Sequence, residues 1–326
     1  MAEPRDGVIT AADALQAGYG HPEIRQLLSS GRWIRLRRGV YISAADLARA
    51  QASGRGHRAS CVALLLALDR PTAAISHDTA ARLWGLPTPR GRDEVLRLTD
   101  PSRWRRGPDY VMSRAPLGQG DVWRTGFVRL TSAARTLVDC AREWPLEDAV
   151  VALDAALLAE RTTMGALHSG AASVHSWPGA ARAVRAVALA DGRAESPLET
   201  RGRLRIVGSG FPTPELQVEI RTGGRLVGVA DAWFDEAAVA VEFDGQVKYT
   251  DPWRNRSPER VLWEEKRRED ELRALDIRVV RVADADLGGR RWPGTEGRLR
   301  ELLGLPGPRG RRFTAVPRAQ GLRRPG

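Results

Sequence analysis

Two helix starts of one kind, Ser196-Pro197 and Ser257-Pro258, bracket a run of strand-like sequence near the end of the chain, and this punctuation confines the fold more than any other feature. A serine before proline opens a helix because its hydroxyl accepts an otherwise orphaned amide, while proline has no amide to orphan. In "SPLETRGRLRIV" Glu199 stands three past the cap, completing a capping box. "ELQVEIR", the turn "TGGR", "LVGVADAWF" and "AAVAVEFD" then read as three strands joined by hairpins. "SPERVLWEEKRREDELRALD" reads as a long charged helix and "IRVVRV" as a final strand. The order over residues 195–304 is αβββαβ.

The third of these strands carries an oddity, "VEFDGQVKY". Glu242 and Asp244 are two apart and share one face, leaving Val241 and Phe243 on the other. Asp231 is embedded in the apolar second strand. With Glu236-Ala237 as the hairpin loop, Asp231 falls directly opposite Glu242, and opposed residues share a face. Three carboxylates on one patch of sheet repel one another unless a divalent cation or raised pKa values relieve the strain. A hard cation, Mg²⁺ or Mn²⁺, held by Asp231 and Glu242 would keep other positions for water and phosphate oxygens. That is the chemistry of phosphodiester cleavage, in which the metal acidifies its water and offsets transition-state charge. Of 51 lysines plus arginines, only Lys248 and Lys266 are lysines, and both lie close in sequence to these acids. Either supplies a point charge beside them, Lys248 by strand parity and Lys266 from the following helix.

The rest of the chain points to nucleic acid. At 326 residues, two or three domains are expected. A net charge of +11 calls for a polyanionic partner, most economically DNA. Two cysteines, Cys61 and Cys140, exclude a disulfide framework or a four-cysteine zinc site and fit a reducing cytoplasm. "MAEPRDGVIT" has no apolar signal core and no stretch approaches ~18 apolar residues, so no membrane association is expected. Residues 1–50 read as helix, turn, helix and a two-stranded wing: Thr10 caps "AADALQA", Gly18 ends it, "HPEIRQLLSSG" follows, and "RWIRLRRGVYI" turns at Arg38-Gly39. Arg25, Arg32, Arg35, Arg37 and Arg38 are its candidate DNA contacts, with Trp33, Arg35 and Arg37 alternating along one strand face. Residues 51–194 mix helices such as "RASCVALLLAL" and "LEDAVVALDAALLAE" with the strands "EVLRLTD", "DYVMSR" and "GFVRL". His57 and His77 lack partners at metal-ligand spacing and read as surface or helix-cap residues. Residues 305–326, six arginines among Pro and Gly, read as a disordered basic tail.

Two resemblances follow from these motifs. "GVITAADALQAGYGHPEIRQLLSSGRWIRLRRGVYI" resembles the winged helix-turn-helix that opens AbiEi abortive-infection antitoxins, and "VRLTSAARTLVDCARE" resembles the segment after it. It implies a DNA-binding regulator of its own operon, with a toxin partner. The αβββαβ order, with "AD" on the second strand and "VEFDG" on the third, resembles the PD-(D/E)XK nuclease superfamily, in its very-short-patch-repair branch. That implies a restriction-endonuclease-like core and a metal-dependent endonuclease, with Asp231 and Glu242 as metal ligands and Glu199 completing the site. The position two beyond the acid, usually lysine, is Asp244 here. The expected architecture is therefore an α+β, α/β multidomain chain. Its function is either DNA cleavage or, with a degenerate nuclease fold, non-enzymatic DNA-binding regulation of the type IV antitoxin kind.

Overall fold

A computed structural model describes residues 5–91, 95–244 and 258–318. It divides into two compact units, one running to Ala152 and resuming over Arg161–Ala188, the other comprising Leu153–Glu160 and the chain from Leu189. Among the described residues no helix is long and apolar enough to cross a membrane.

The first unit opens with β1 (Val8–Thr10), α1 (Ala11–Gln16), α2 (His21–Ser29), β2 (Trp33–Arg37), β3 (Val40–Ser43) and α3 (Ala44–Ala52). Thr10 caps α1 as expected: its hydroxyl accepts from the Asp13 amide while the Asp13 carboxylate accepts from the Thr10 amide at 2.7 Å. Burial works to raise the Asp13 pKa, but the Thr10 donors and Arg5 outweigh it, so the carboxyl titrates below its usual range. The wing has a third strand, since β1 pairs with β3 on the side away from β2. There follow α4 (Gly56–Leu68), β4 (Ala74–Ile75), α5 (His77–Leu83), β5 (Leu96–Asp100), β6 (Arg105–Arg106), β7 (Tyr110–Arg114), β8 (Val122–Thr125) and β9 (Val128–Thr131). The unit continues through α6 (Ala133–Glu143), the part of α7 (Leu146–Leu158) up to Ala152, α8 (Met164–Ser173) and α9 (Ala180–Ala188). Strands β4 to β9 form one mixed sheet in the order β6-β7-β5-β4-β9-β8.

The wing shares one core with the elements that follow it. Val8, Val40 and Ile42 of the wing lie in one core with Val62 and Leu64 of α4 and Leu98, Met112 and Leu130 of the large sheet. A segment this short buries too little apolar surface by itself, and α4 supplies the missing wall.

In the second unit α10 (Pro197–Gly208), β10 (Glu215–Thr222), β11 (Arg225–Phe234), β12 (Val239–Asp244), α11 (Pro258–Ala274) and β13 (Arg278–Ala283) reproduce the expected αβββαβ order. A 3₁₀ turn (Asp284–Leu287), α12 (Trp292–Leu303) and β14 (Thr314–Pro317) follow. The sheet order is β13-β12-β11-β10-β14; β13 runs parallel to β12, as a helical crossover requires, and the other pairs are antiparallel. Val241 and Phe243 face a core with Ile206 of α10 and Leu299 of α12, while Ala240 faces one with Leu272 of α11.

The tail departs from expectation. Residues 305–318 are ordered, because Phe313 buries itself edge-on against Trp233, 5.9 Å between centroids, and β14 then pairs with the open edge of β10. Arg318, expected in a disordered basic tail, is buried with Glu195 at 3.3 Å and Glu219 at 3.5 Å.

One glycine shows how closely α10 lies on the sheet. A Cβ built on Gly202 would stand 1.9 Å from Phe243 Cε1. Alanine in a helix normally stabilises by ~0.5–1 kcal/mol over glycine, but overpacking costs about 1–3 kcal/mol, so the clash decides the sign. Gly202→Ala is expected to lower the urea midpoint of unfolding; a raised midpoint would contradict this packing.

Candidate functional site

The N-terminal candidates fall into two groups. Along α2 the exposed polar side chains Arg25, Gln26 and Ser29 follow one another at short helical steps and make one stripe, with Pro22 at its N-terminal end. The opposite stripe, Ile24 and Leu27, is buried, and Ile24 packs with Ala14 and Tyr41. Trp33 completes that small core, 5.1 Å from the Tyr19 ring and 6.0 Å from Tyr41. Arg32, Arg35 and Arg38 belong to the adjoining hairpin and its approach, and all three are exposed; the Arg38-Gly39 turn places Gly39 at a φ of +73°.

Arg37 is different. The strand expected to alternate regularly carries a bulge: Arg35 pairs with Tyr41 but Arg37 pairs with Val40, so Leu36 is an extra residue. A bulge shifts the two-residue alternation by one, and Arg37 leaves the face of Arg35. Its guanidinium donates to both oxygens of Asp109, at 2.9 and 2.6 Å, and lies 5.8 Å from the Tyr110 ring centroid. At 14% exposure its side chain fastens the wing to the large sheet of the same unit.

Sequence reasoning passed over two features. Gln26 shares the stripe of Arg25 and has the side chain that reads adenine edges, a signal available once the buried stripe is drawn. "SRWRRG" places Trp104, 66% exposed, among exposed Arg103, Arg105 and Arg106; an aromatic between arginines is itself a readable sign of nucleic-acid contact.

On the C-terminal sheet, β11 and β12 have the expected register: Ala232–Val241, Trp233–Ala240 and Phe234–Val239 set Asp231 opposite Glu242. On the other side Leu216–Ala232 and Val218–Ala230 set Gln217 opposite Asp231. A polar row thus crosses three strands. Its members nevertheless have partners of their own. Asp231 Oδ2 accepts the Phe243 amide at 2.8 Å, standing in for a backbone carbonyl. Glu242 takes Arg268 at 3.0 Å and Arg281 at 3.6 Å. Glu199 accepts from Ser196 Oγ at 2.9 Å, from the Glu195 amide at 2.8 Å and from Gln217 Nε2 at 3.0 Å. Asp244 is half-buried, Lys266 is exposed on α11, and Lys248 lies outside the described residues. Among the described residues no group of three or more His, Cys, Asp or Glu is placed to hold a metal ion. Asp231 thus meets an amide, and Glu242 meets guanidinium groups.

Residues 2–44 match the family model described as "Transcriptional regulator, AbiEi antitoxin". Two proteins of Mycobacterium tuberculosis are similar over a longer stretch: the uncharacterized protein MT2308 of strain CDC 1551 / Oshkosh and the uncharacterized protein Rv2248 of strain ATCC 25618 / H37Rv. Each is 30% identical over 217 residues, which is 66% of this chain and 75% of the relative. Neither match speaks for a nuclease. The chain belongs to one family with these two mycobacterial proteins, and it opens on a domain of the AbiEi regulator type.

Proposed function

We propose that the chain is a DNA-binding transcriptional regulator that presents α2 to the major groove and its wing arginines to the phosphates. The observation that carries this reading is the single exposed stripe of Arg25, Gln26 and Ser29, flanked by Arg32, Arg35 and Arg38. Arg and Gln are the side chains that pair bidentately with guanine and adenine edges, and arginines on a hairpin suit phosphate. The family match over residues 2–44 supports the same role, and its antitoxin description suggests an operator of its own and a toxin partner. A net charge of +11 favours encounter with any duplex.

A second reading, metal-dependent cleavage of DNA, has the αβββαβ order and the Asp231–Glu242 register in its favour. It has against it the arginine pairing of Glu242.

The wing arginines separate by role. Replacing Arg32, Arg35 and Arg38 with Ala is expected to flatten the salt dependence of duplex binding by about 0.9 for each phosphate no longer neutralised. The unfolding midpoint should hardly move. Arg37→Ala is expected to do the reverse, costing roughly 1 kcal/mol of stability because Asp109 and the Tyr110 ring are left without their guanidinium, while the salt slope stays intact. A slope insensitive to the triple substitution would remove the wing from the interface.

The acids give a test by sign. If like charges crowd this patch and await a cation, Glu242→Gln stabilises the metal-free protein. Where Glu242 is the partner of two arginines, the same change destabilises it, by about 1.5–3 kcal/mol at most for charged hydrogen bonds. We expect destabilisation, and no nicking of duplex or single-stranded DNA with Mg²⁺ or Mn²⁺ present. Metal-dependent cutting abolished by Asp231→Asn would establish the nuclease reading instead.

A further inference from the structure

Neither reading uses a charged interior of the first unit. In the first unit a cleft of about 370 Å³ opens between the start of α5, the ends of β5 and β7, one face of α6 and the Trp177-Pro178 segment before α9. The α6 face consists of Arg135, Asp139, Arg142 and Glu143, four ionisable side chains turned inward where a helix ordinarily sets apolar residues.

These groups are held in fixed orientations. Asp139, 1% exposed, takes Arg135 on one oxygen at 2.8 Å and Arg142 on the other at 3.0 Å. Arg135 also donates to Pro116 O at 3.1 Å and to Asp121 at 3.0 Å, while its Nη2, on a residue only 5% exposed, has no hydrogen-bond partner. Both guanidinium carbons stand 5.0 Å from the Trp177 ring centroid. Glu143 receives two bonds from Arg97, at 3.0 and 3.1 Å.

His77 was expected at the surface or as a cap. It does begin a helix, but it is buried and adopts a φ of +53°, a left-handed backbone that is costly outside glycine and persists where the surroundings impose it. Thr99 Oγ1 donates to Ser76 Oγ at 2.9 Å, so the Ser76 hydroxyl is free to donate to His77 Nδ1 at 2.8 Å. That relay leaves the imidazole hydrogen on Nε2, 3.5 Å from Glu143.

The balance of charge sets the ligand class. Arg114, Arg135 and Arg142 line the cleft against Asp139 and Glu143; Glu143 is already met by Arg97 and Arg135 by Asp121, so Arg114 and Arg142 together outweigh Asp139. Arg114 stands exposed at the rim and takes part in no ion pair among the described residues. Ala115, Pro116 and Pro178 supply apolar wall. The volume falls in the range of small-molecule pockets, which are apolar clefts with a few fixed polar groups.

We propose that this cleft binds a small organic anion, a carboxylate or phosphomonoester carried on a flat apolar ring. Arg114, with the Arg142 guanidinium behind it, receives the anionic oxygens, and the ring lies against Pro116 and Pro178. The site is independent of the DNA-binding reading.

The test is calorimetric titration of the full chain with four probes: benzoate, phenyl phosphate, benzyl alcohol and inorganic phosphate. At least one ring-bearing anion is expected to bind with a Kd between ~1 μM and ~1 mM. The tighter of the two identifies the anionic group. Benzyl alcohol and inorganic phosphate should each bind about tenfold more weakly or not at all. Arg114→Ala is exposed enough to leave folding intact and should weaken the ring anion by about tenfold, with Arg142→Gln as a second variant and thermal unfolding as the check on both. No binding by either ring anion, equal binding of the neutral ring, inorganic phosphate binding as tightly, or an unchanged Kd in Arg114→Ala would each overturn the proposal. Displacement of the bound probe by duplex DNA would do so too, by assigning the cleft to the nucleic-acid surface.

Discussion

The outward face of the N-terminal helices depends on the packing of Val8, Val40 and Ile42 against α4 and the large sheet. A wing of three short strands has too little interior to hold a shape alone, and sharing a core with α4 gives it one. The bulge at Leu36 adds the polar half of the same fastening, because it turns Arg37 away from solvent and onto Asp109 and Tyr110. What remains outside is then well defined: one stripe of α2 and three arginines of the hairpin region. A DNA-contacting surface gains from such rigidity, since less ordering entropy is lost on binding.

Much of this was legible in the sequence because it is local. Thr10 and Ser196 announce helix starts, and both hydroxyls cap as expected, though Glu199 accepts the amide of Glu195 rather than that of Ser196 and so leaves the expected capping box half made. The β11–β12 register followed from loop length and apolar alternation, even though Glu236-Ala237 lacks the usual turn glycine; Ala238 takes the left-handed conformation in its place, at a φ of +50°. Departures came where one residue's conformation is decided by distant partners. Nothing in "RWIRLRRG" marks Leu36 as the extra residue, nor does the arginine-rich tail advertise that Phe313 will find Trp233.

The carboxylate row shows the same limit from the side of energetics. Reading Asp231, Glu242 and Asp244 as mutually repelling charges counts the acids on adjacent strands and omits the bases that a fold brings up from elsewhere. Arg268 reaches Glu242 from α11 and Arg281 from β13, and Asp231 spends an oxygen on the Phe243 amide. With those partners counted, Asp231 and Glu242 no longer stand as bare charges facing each other across the strands. The αβββαβ order expected from the sequence is present, and Glu242 at its centre is met by arginine.

The most direct test of the regulator account is amide hydrogen exchange on the full chain, followed with and without a saturating duplex at low salt. The account predicts slowed exchange concentrated in α2 and in the hairpin around Arg35–Gly39, with β11 and β12 unchanged. Protection centred on Asp231 and Glu242, with α2 exchanging as in the free protein, would contradict it and give the DNA to the C-terminal sheet.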